Sequence, residues 1–135
     1  MSTVFLPSQD IGEFLQTTGH EFGVTTGRKR RCGWLDIPLL KYTSMVNGYS
    51  SIALTKLDIL DQMEDIKIGV AYVKNGVILQ HFPSCEQEFE GVSVEYINMS
   101  GWKTSIATCT TFDSLPENAK TYVKTIEQQL NLPGK

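Results

Sequence analysis

The stretch Thr25 to Asp36 reads TTGRKRRCGWLD and sets four cations, Arg28, Lys29, Arg30 and Arg31, in a row. Two hydroxyls and Gly27 precede them, and Gly33, Trp34 and an acid follow. Guanidinium and ammonium groups on a glycine-containing loop make a donor-rich cationic surface. It suits an anion with several oxygens, either carboxylate or phosphate. A second stretch, Thr55-Lys56-Leu57-Asp58, sets a lysine two residues before a lone carboxylate. An ionised carboxylate can accept from both adjacent N–H donors on the guanine edge. Adenine has an acceptor where guanine has a donor, and an unmatched polar pairing in a dry site costs several kcal/mol.

Each stretch also has a plainer reading. A run of four cations is commonly a solvated face, a nucleic-acid contact or a nuclear-localisation tract. A Lys and an Asp near a turn are commonly an exposed cation and a capping acid. The hydroxyls upstream and the Gly33-Trp34 pair downstream favour a binding loop, since a localisation tract needs neither.

Composition narrows the classes. The chain has 135 residues, enough for one domain with its own core, and 41% hydrophobic residues, ordinary for a globular protein. Net charge is −3, so the basic run is a local exception, and bulk nucleic-acid binding is disfavoured. No apolar run approaches the roughly 20 residues of a membrane helix. The start, MSTVFLPSQD, lacks the pattern of a signal peptide. Cys32, Cys85 and Cys109 are odd in number, far apart and without a CxxC pair, which fits reduced thiols in the cytosol. His20 and His81 are isolated, so neither they nor the cysteines predict a metal site.

The elements that must position these residues read as follows. Ser8 or Asp10 caps a short helix through Ile11, Phe14 and Leu15, ended by Thr17-Thr18-Gly19. Residues 20–31 form a loop. Asp36 caps a second helix, with Pro38 in its first turn and a stop at Asn47-Gly48. Ser51 to Thr55, SIALT, reads as a strand buried on both faces, as in a parallel sheet, with TKLD at its carboxyl end. Alternation from that strand puts Lys56 and Asp58 on one side. Ile66 to Val73 predicts a strand with Ile66, Ile68, Val70 and Tyr72 on one face. Asn75-Gly76 turns it, and Val77 to Phe82 returns. Val92 to Ile97 is a further strand. A last helix starts at Leu115-Pro116-Glu117 and carries Ala119, Tyr122, Val123, Ile126 and Leu130. The expected fold class is α/β: a small sheet, partly parallel and partly hairpin, with packed helices.

Taken together, TTGRKRRCGWLD and, about twenty residues on, LTKLDILD resemble the adenylosuccinate synthetase family. The flanks HEFGV, KIGVAY and VEYINMSGW agree, and the resemblance runs from about Ile11 to Pro133. TKLD is also similar to the NKxD base-reading motif of GTP-binding proteins, with Thr for the usual Asn.

The resemblance implies a GTP-dependent ligase of purine synthesis. GTP phosphorylates the 6-oxygen of IMP, and the amine of aspartate displaces the phosphate to give adenylosuccinate, GDP and phosphate. It implies that Val24, Thr25, Thr26, Gly27, Arg28, Lys29 and Arg30 form the aspartate loop. Arg28 also lies against IMP, Arg30 also reaches the GTP side, and Lys56, Leu57 and Asp58 bind GTP at the guanine. It further implies a homodimer, a cytoplasmic setting and Mg²⁺.

The family's glycine-rich phosphate loop, its catalytic Asp and its His general acid have no counterpart here. The chain therefore reads as roughly the last third of such an enzyme, residues 1–10 being a divergent lead-in. It belongs to a larger, mostly parallel sheet of the P-loop NTPase type, and no catalytic or metal-binding residue is assigned in this chain. Catalysis by the chain alone is not expected, and an uncovered strand edge and apolar face are. Two other readings stay open: a non-catalytic GTP-binding module, and a nucleic-acid contact through Arg28 to Arg31, which would weaken with salt and ignore Asp58→Ala.

Overall fold

A computed structural model describes residues 9–134. The first helix, α1 (Gln9–Thr18), carries Asp10 inside its first turn, so Asp10 favours the helix by its charge rather than as a cap. The alternative cap, Ser8, lies outside the described residues. Gly19 donates its N–H to Leu15 O at 2.9 Å, and a Cβ there would sit 2.7 Å from that same oxygen. The close return of the chain therefore requires glycine.

Strand β1 (Leu35–Asp36) runs directly into α2 (Ile37–Asn47). Asp36 caps α2 as expected: its carboxylate accepts from Leu39 N at 3.1 Å, and Pro38 sits in the first turn. Gly48, in the left-handed region at φ 66°, closes the helix.

The sheet is built on β2 (Asp65–Lys74), which pairs with the other three strands. β4 (Val92–Ser100) runs antiparallel to it from Asp65↔Ser100 to Lys74↔Val92. β3 (Val77–Ile78) is also antiparallel, and β1 is parallel through Leu35↔Ile68 and Asp36↔Gly69. Antiparallel pairing therefore predominates within the described residues. Asn75 and Gly76 take φ of 53° and 77°, as an Asn-Gly hairpin turn requires.

Three expectations are corrected. Residues 51–55 do not form a strand buried on both faces. Ile52 makes one isolated parallel bridge to Gly134, with Ile52 N donating to Pro133 O at 3.2 Å, and Ala53 and Thr55 are exposed. An apolar segment becomes a strand only where a ladder partner is available, and here the tail offers two residues. The returning strand is Val77–Ile78 alone; Phe82, farther along, leaves the sheet to stack on Tyr42 at 4.7 Å. The face of β2 also divides. A bulge between Gly69 and Ala71 resets the alternation. Ile66, Ile68 and Val70 pack in the main core, whereas Tyr72 packs against Phe82 and Phe89.

That core is closed by α4 (Glu117–Leu130), which buries Ala119, Tyr122, Ile126 and Leu130 against Ile37, Ile66, Ile68, Trp102 and Ile106. A short helix, α3 (Glu86–Phe89), and two 3₁₀ turns, Leu57–Leu60 and Phe112–Ser114, complete the elements. Gly101 is indispensable to the route. Its N–H donates to Glu64 O at 2.7 Å, and a Cβ would fall 1.8 Å from Met63 O.

Beyond β2, β4 has no ladder partner among the described residues. Tyr42, Met45, Val46, Tyr49, Val77 and Ile78 are exposed, and Tyr42, Met45 and Ile78 line one open hollow. No helix among the described residues is long and apolar enough to cross a membrane.

Candidate functional site

The basic run sits on a compact hairpin loop. Phe22 and Lys29 form an isolated antiparallel bridge. Gly23 N donates to Arg28 O at 2.8 Å, Gly27 N to Gly23 O at 2.8 Å, and Arg30 N to Glu21 O at 2.9 Å. The turn needs Gly27 at φ 63°. The Thr26 hydroxyl oxygen accepts from Arg28 N at 3.3 Å, and Gln16 Nε2 donates to Arg30 O at 2.6 Å, tying the base of the loop to α1. Val24, Thr25, Thr26, Gly27, Arg28 and Lys29 stand in solvent, Val24 98% exposed. Their side chains are therefore open to solvent.

Arg30 turns inward to a carboxylate. Its Nη1 lies 3.2 Å from Glu21 Oε2, while Lys56 Nζ bonds the other oxygen, Glu21 Oε1, and also donates to Gly19 O at 2.7 Å. One acid thus joins the cationic loop to the TKLD segment. The Lys56 ammonium hydrogen bond is the largest influence holding the Glu21 carboxyl below its usual range; partial desolvation opposes it, and Arg30 adds to it. Lys56 itself adopts a left-handed backbone, φ 58°, which is uncommon for a residue with a Cβ.

Arg30, Lys56 and Leu57 line one cavity of about 510 Å³ with Glu21, Trp34, Leu54 and Leu60. Cys32 lies on its wall; burial first, then the nearby Glu21 charge, pushes its thiol up, while Lys56 and Arg30 oppose this.

Asp58 departs from the strand geometry. Because 55–58 is not a strand, alternation does not apply, and Lys56 and Asp58 do not project together. Lys56 turns back toward α1, whereas Asp58, exposed on the Leu57–Leu60 turn, lines a neighbouring cavity of about 420 Å³ with Phe14, Lys103, Thr104 and Ser105. Ile59 borders both cavities. The Arg30 and Asp58 side chains thus face adjoining hollows rather than one shared cleft.

The sequence reading gave no role to Glu21 or to Asp61. Asp61 anchors the second hollow: it accepts from Trp102 Nε1 at 2.8 Å and from Ile106 N at 3.1 Å, fixing the segment that carries Lys103 to Ser105. An acid near a cation run hints at Glu21; nothing local points to Asp61. Among the described residues no group of three His, Cys, Asp or Glu side chains is placed to hold a metal ion.

A cationic hairpin clamped by a carboxylate onto a polar turn, on a mixed sheet with packed helices, defines an α/β protein with an exposed cationic loop. Comparison with known proteins is specific. The family profile of adenylosuccinate synthetase matches residues 2–135. Adenylosuccinate synthetase from Paramecium tetraurelia is 54% identical over 126 residues, covering 93% of this chain and 29% of that relative. The Drosophila melanogaster protein of the same name is 58% identical over 125 residues, covering 92% and 28%. A structure of fully ligated adenylosuccinate synthetase from Plasmodium falciparum superposes with a TM-score of 0.93 at 43% identity, covering 98% of this chain and 32% of that one. The chain belongs to the adenylosuccinate synthetase family. It spans less than a third of the length of these relatives.

Proposed function

We propose that this chain is the portion of an adenylosuccinate synthetase that holds aspartate and reads guanine. The whole enzyme would join IMP and L-aspartate at the expense of GTP, releasing adenylosuccinate, GDP and phosphate on the route to AMP. In this reading Val24 to Arg30 form the aspartate loop. The forks of Arg28 and Arg30 grip the two carboxylates with charge-assisted bonds that a lysine would not match. Arg28 also faces IMP, and Lys56, Leu57 and Asp58 serve the guanine. Holding the amine at the activated base lowers the entropic barrier, and ordering of the exposed loop around aspartate excludes water from the intermediate.

The observation that supports this best is the meeting of Arg30 and Lys56 on Glu21, which sets the two motifs side by side. The phosphate cradle, the acid, the base and the Mg²⁺ ligands belong to the rest of the enzyme, which extends the small sheet here into a larger parallel one. The open edge of β4 and the apolar surface around Met45 suit such an addition. The setting is cytoplasmic and the enzyme a homodimer.

The test is kinetic, in full-length enzyme carrying this segment. Arg30→Lys raises the aspartate KM sharply, and Asp58→Asn weakens GTP use while IMP affinity stays nearly intact. Unchanged aspartate and GTP constants in both variants refute the assignment. Purified 135-residue chain given GTP, IMP and aspartate yields no adenylosuccinate.

A further inference from the structure

We infer that Glu21 is a positioning residue for both substrate sites, holding Arg30 and Lys56 in one arrangement. The inference rests on the functional reading above. Glu21 is the best fixed member of the trio. Its N–H donates to Gln16 O at 2.8 Å and its carbonyl accepts from Arg30 N at 2.9 Å. Its side chain is 22% exposed, against 60% for Arg30 and 48% for Lys56. The two cations come from segments 9 and 35 residues away, and each takes a different carboxylate oxygen.

Arg30 reaches Glu21 through Nη1, one of the five N–H donors of a guanidinium, so the bond orients the fork without exhausting it. Lys56 is held more completely. Its ammonium has two acceptors, Glu21 and Gly19 O, and its backbone sits in the left-handed region that only an over-determined surrounding sustains. Removing the carboxylate charge would release both heads and leave two like charges near each other without their shared counter-ion. The aspartate clamp and the guanine-side lysine would then loosen together.

Glu21→Gln in full-length enzyme carrying this segment is the test, because it keeps shape and removes charge. The expected result is a rise of about fivefold or more in both the aspartate and the GTP KM, with the IMP KM within about twofold, the loss expected when charge-assisted bonds become neutral ones. Glu21→Asp, one methylene shorter, reproduces the pattern at smaller size and serves if the Gln variant folds poorly. A change confined to one substrate, no change, or an equal rise in the IMP KM overturns the proposal. Arg30→Lys and Asp58→Asn run alongside separate the levels. If they respond and Glu21→Gln does not, only the role of Glu21 fails; if they do not respond either, the functional reading fails with it.

Discussion

Along the β2–β4 ladder, nine residue pairs from Asp65↔Ser100 to Lys74↔Val92 share backbone pairing, and Ile66 and Ile68 beneath it are 1% and 0% exposed. In the loop of residues 20–31 a few backbone bonds close a hairpin, and the side chains that anchor it do so through charge at half-exposed positions. The ladder derives its stability from water excluded over a wide area, which is insensitive to any one charge. The loop is closed by those backbone bonds and tied to the TKLD segment by one carboxylate. A region held this way opens at low cost, which suits the proposed aspartate loop.

The contrast can be broken at the core first. Ile68→Ala should destabilise the chain by about 2–5 kcal/mol, read from chemical unfolding, because the cavity cannot collapse under a paired strand. A value below about 1 kcal/mol would mean that the ladder and the core beneath it carry little of the stability.

Asp61→Ala comes next. It leaves Trp102 Nε1 and Ile106 N without their acceptor and should cost about 1–3 kcal/mol, with altered Trp102 fluorescence.

The two regions should also respond to opposite ends of the pH scale. The Glu21 carboxyl is held low by Lys56, so its contribution is present above the unfolded carboxylate range and is lost as pH falls through the folded value. Acid should therefore loosen the loop, seen as a smaller amide-exchange protection factor at Arg30, measured relative to the unstructured-chain rate at each pH. Burial pushes the Tyr122 hydroxyl up to about 12. Its contribution is complete below the unfolded tyrosine value and lost as pH rises from there through about 12, so alkali should attack the core. A loop protection factor independent of pH would dissolve the distinction.

Val24→Ser, at the 98% exposed tip, should change stability by less than about 0.5 kcal/mol. A larger loss would mean that the tip packs against the fold.

Local chemistry made much of this legible. Asp36 and Pro38 announced α2, Asn75-Gly76 the hairpin turn, and the spacing of Ala119, Tyr122, Ile126 and Leu130 the buried stripe of α4. The cation run and TKLD marked the surface on which Arg30 and Lys56 meet. These features were readable because capping, turn geometry and helical period act between residues a few positions apart.

What only the tertiary structure decided is the partner of each segment. Residues 51–55 are apolar enough for a strand, yet they find two tail residues instead of a sheet. The bulge at Gly69 and Ala71 sends Tyr72 to a different cluster from Ile68. Glu21 joins cations 9 and 35 residues away, Asp61 reaches 41 residues to Trp102, and Asp58 faces the hollow beside the one that Lys56 lines. Strand pairing and ion pairing depend on which groups the fold brings within a few ångströms, and one segment's composition cannot state that distance.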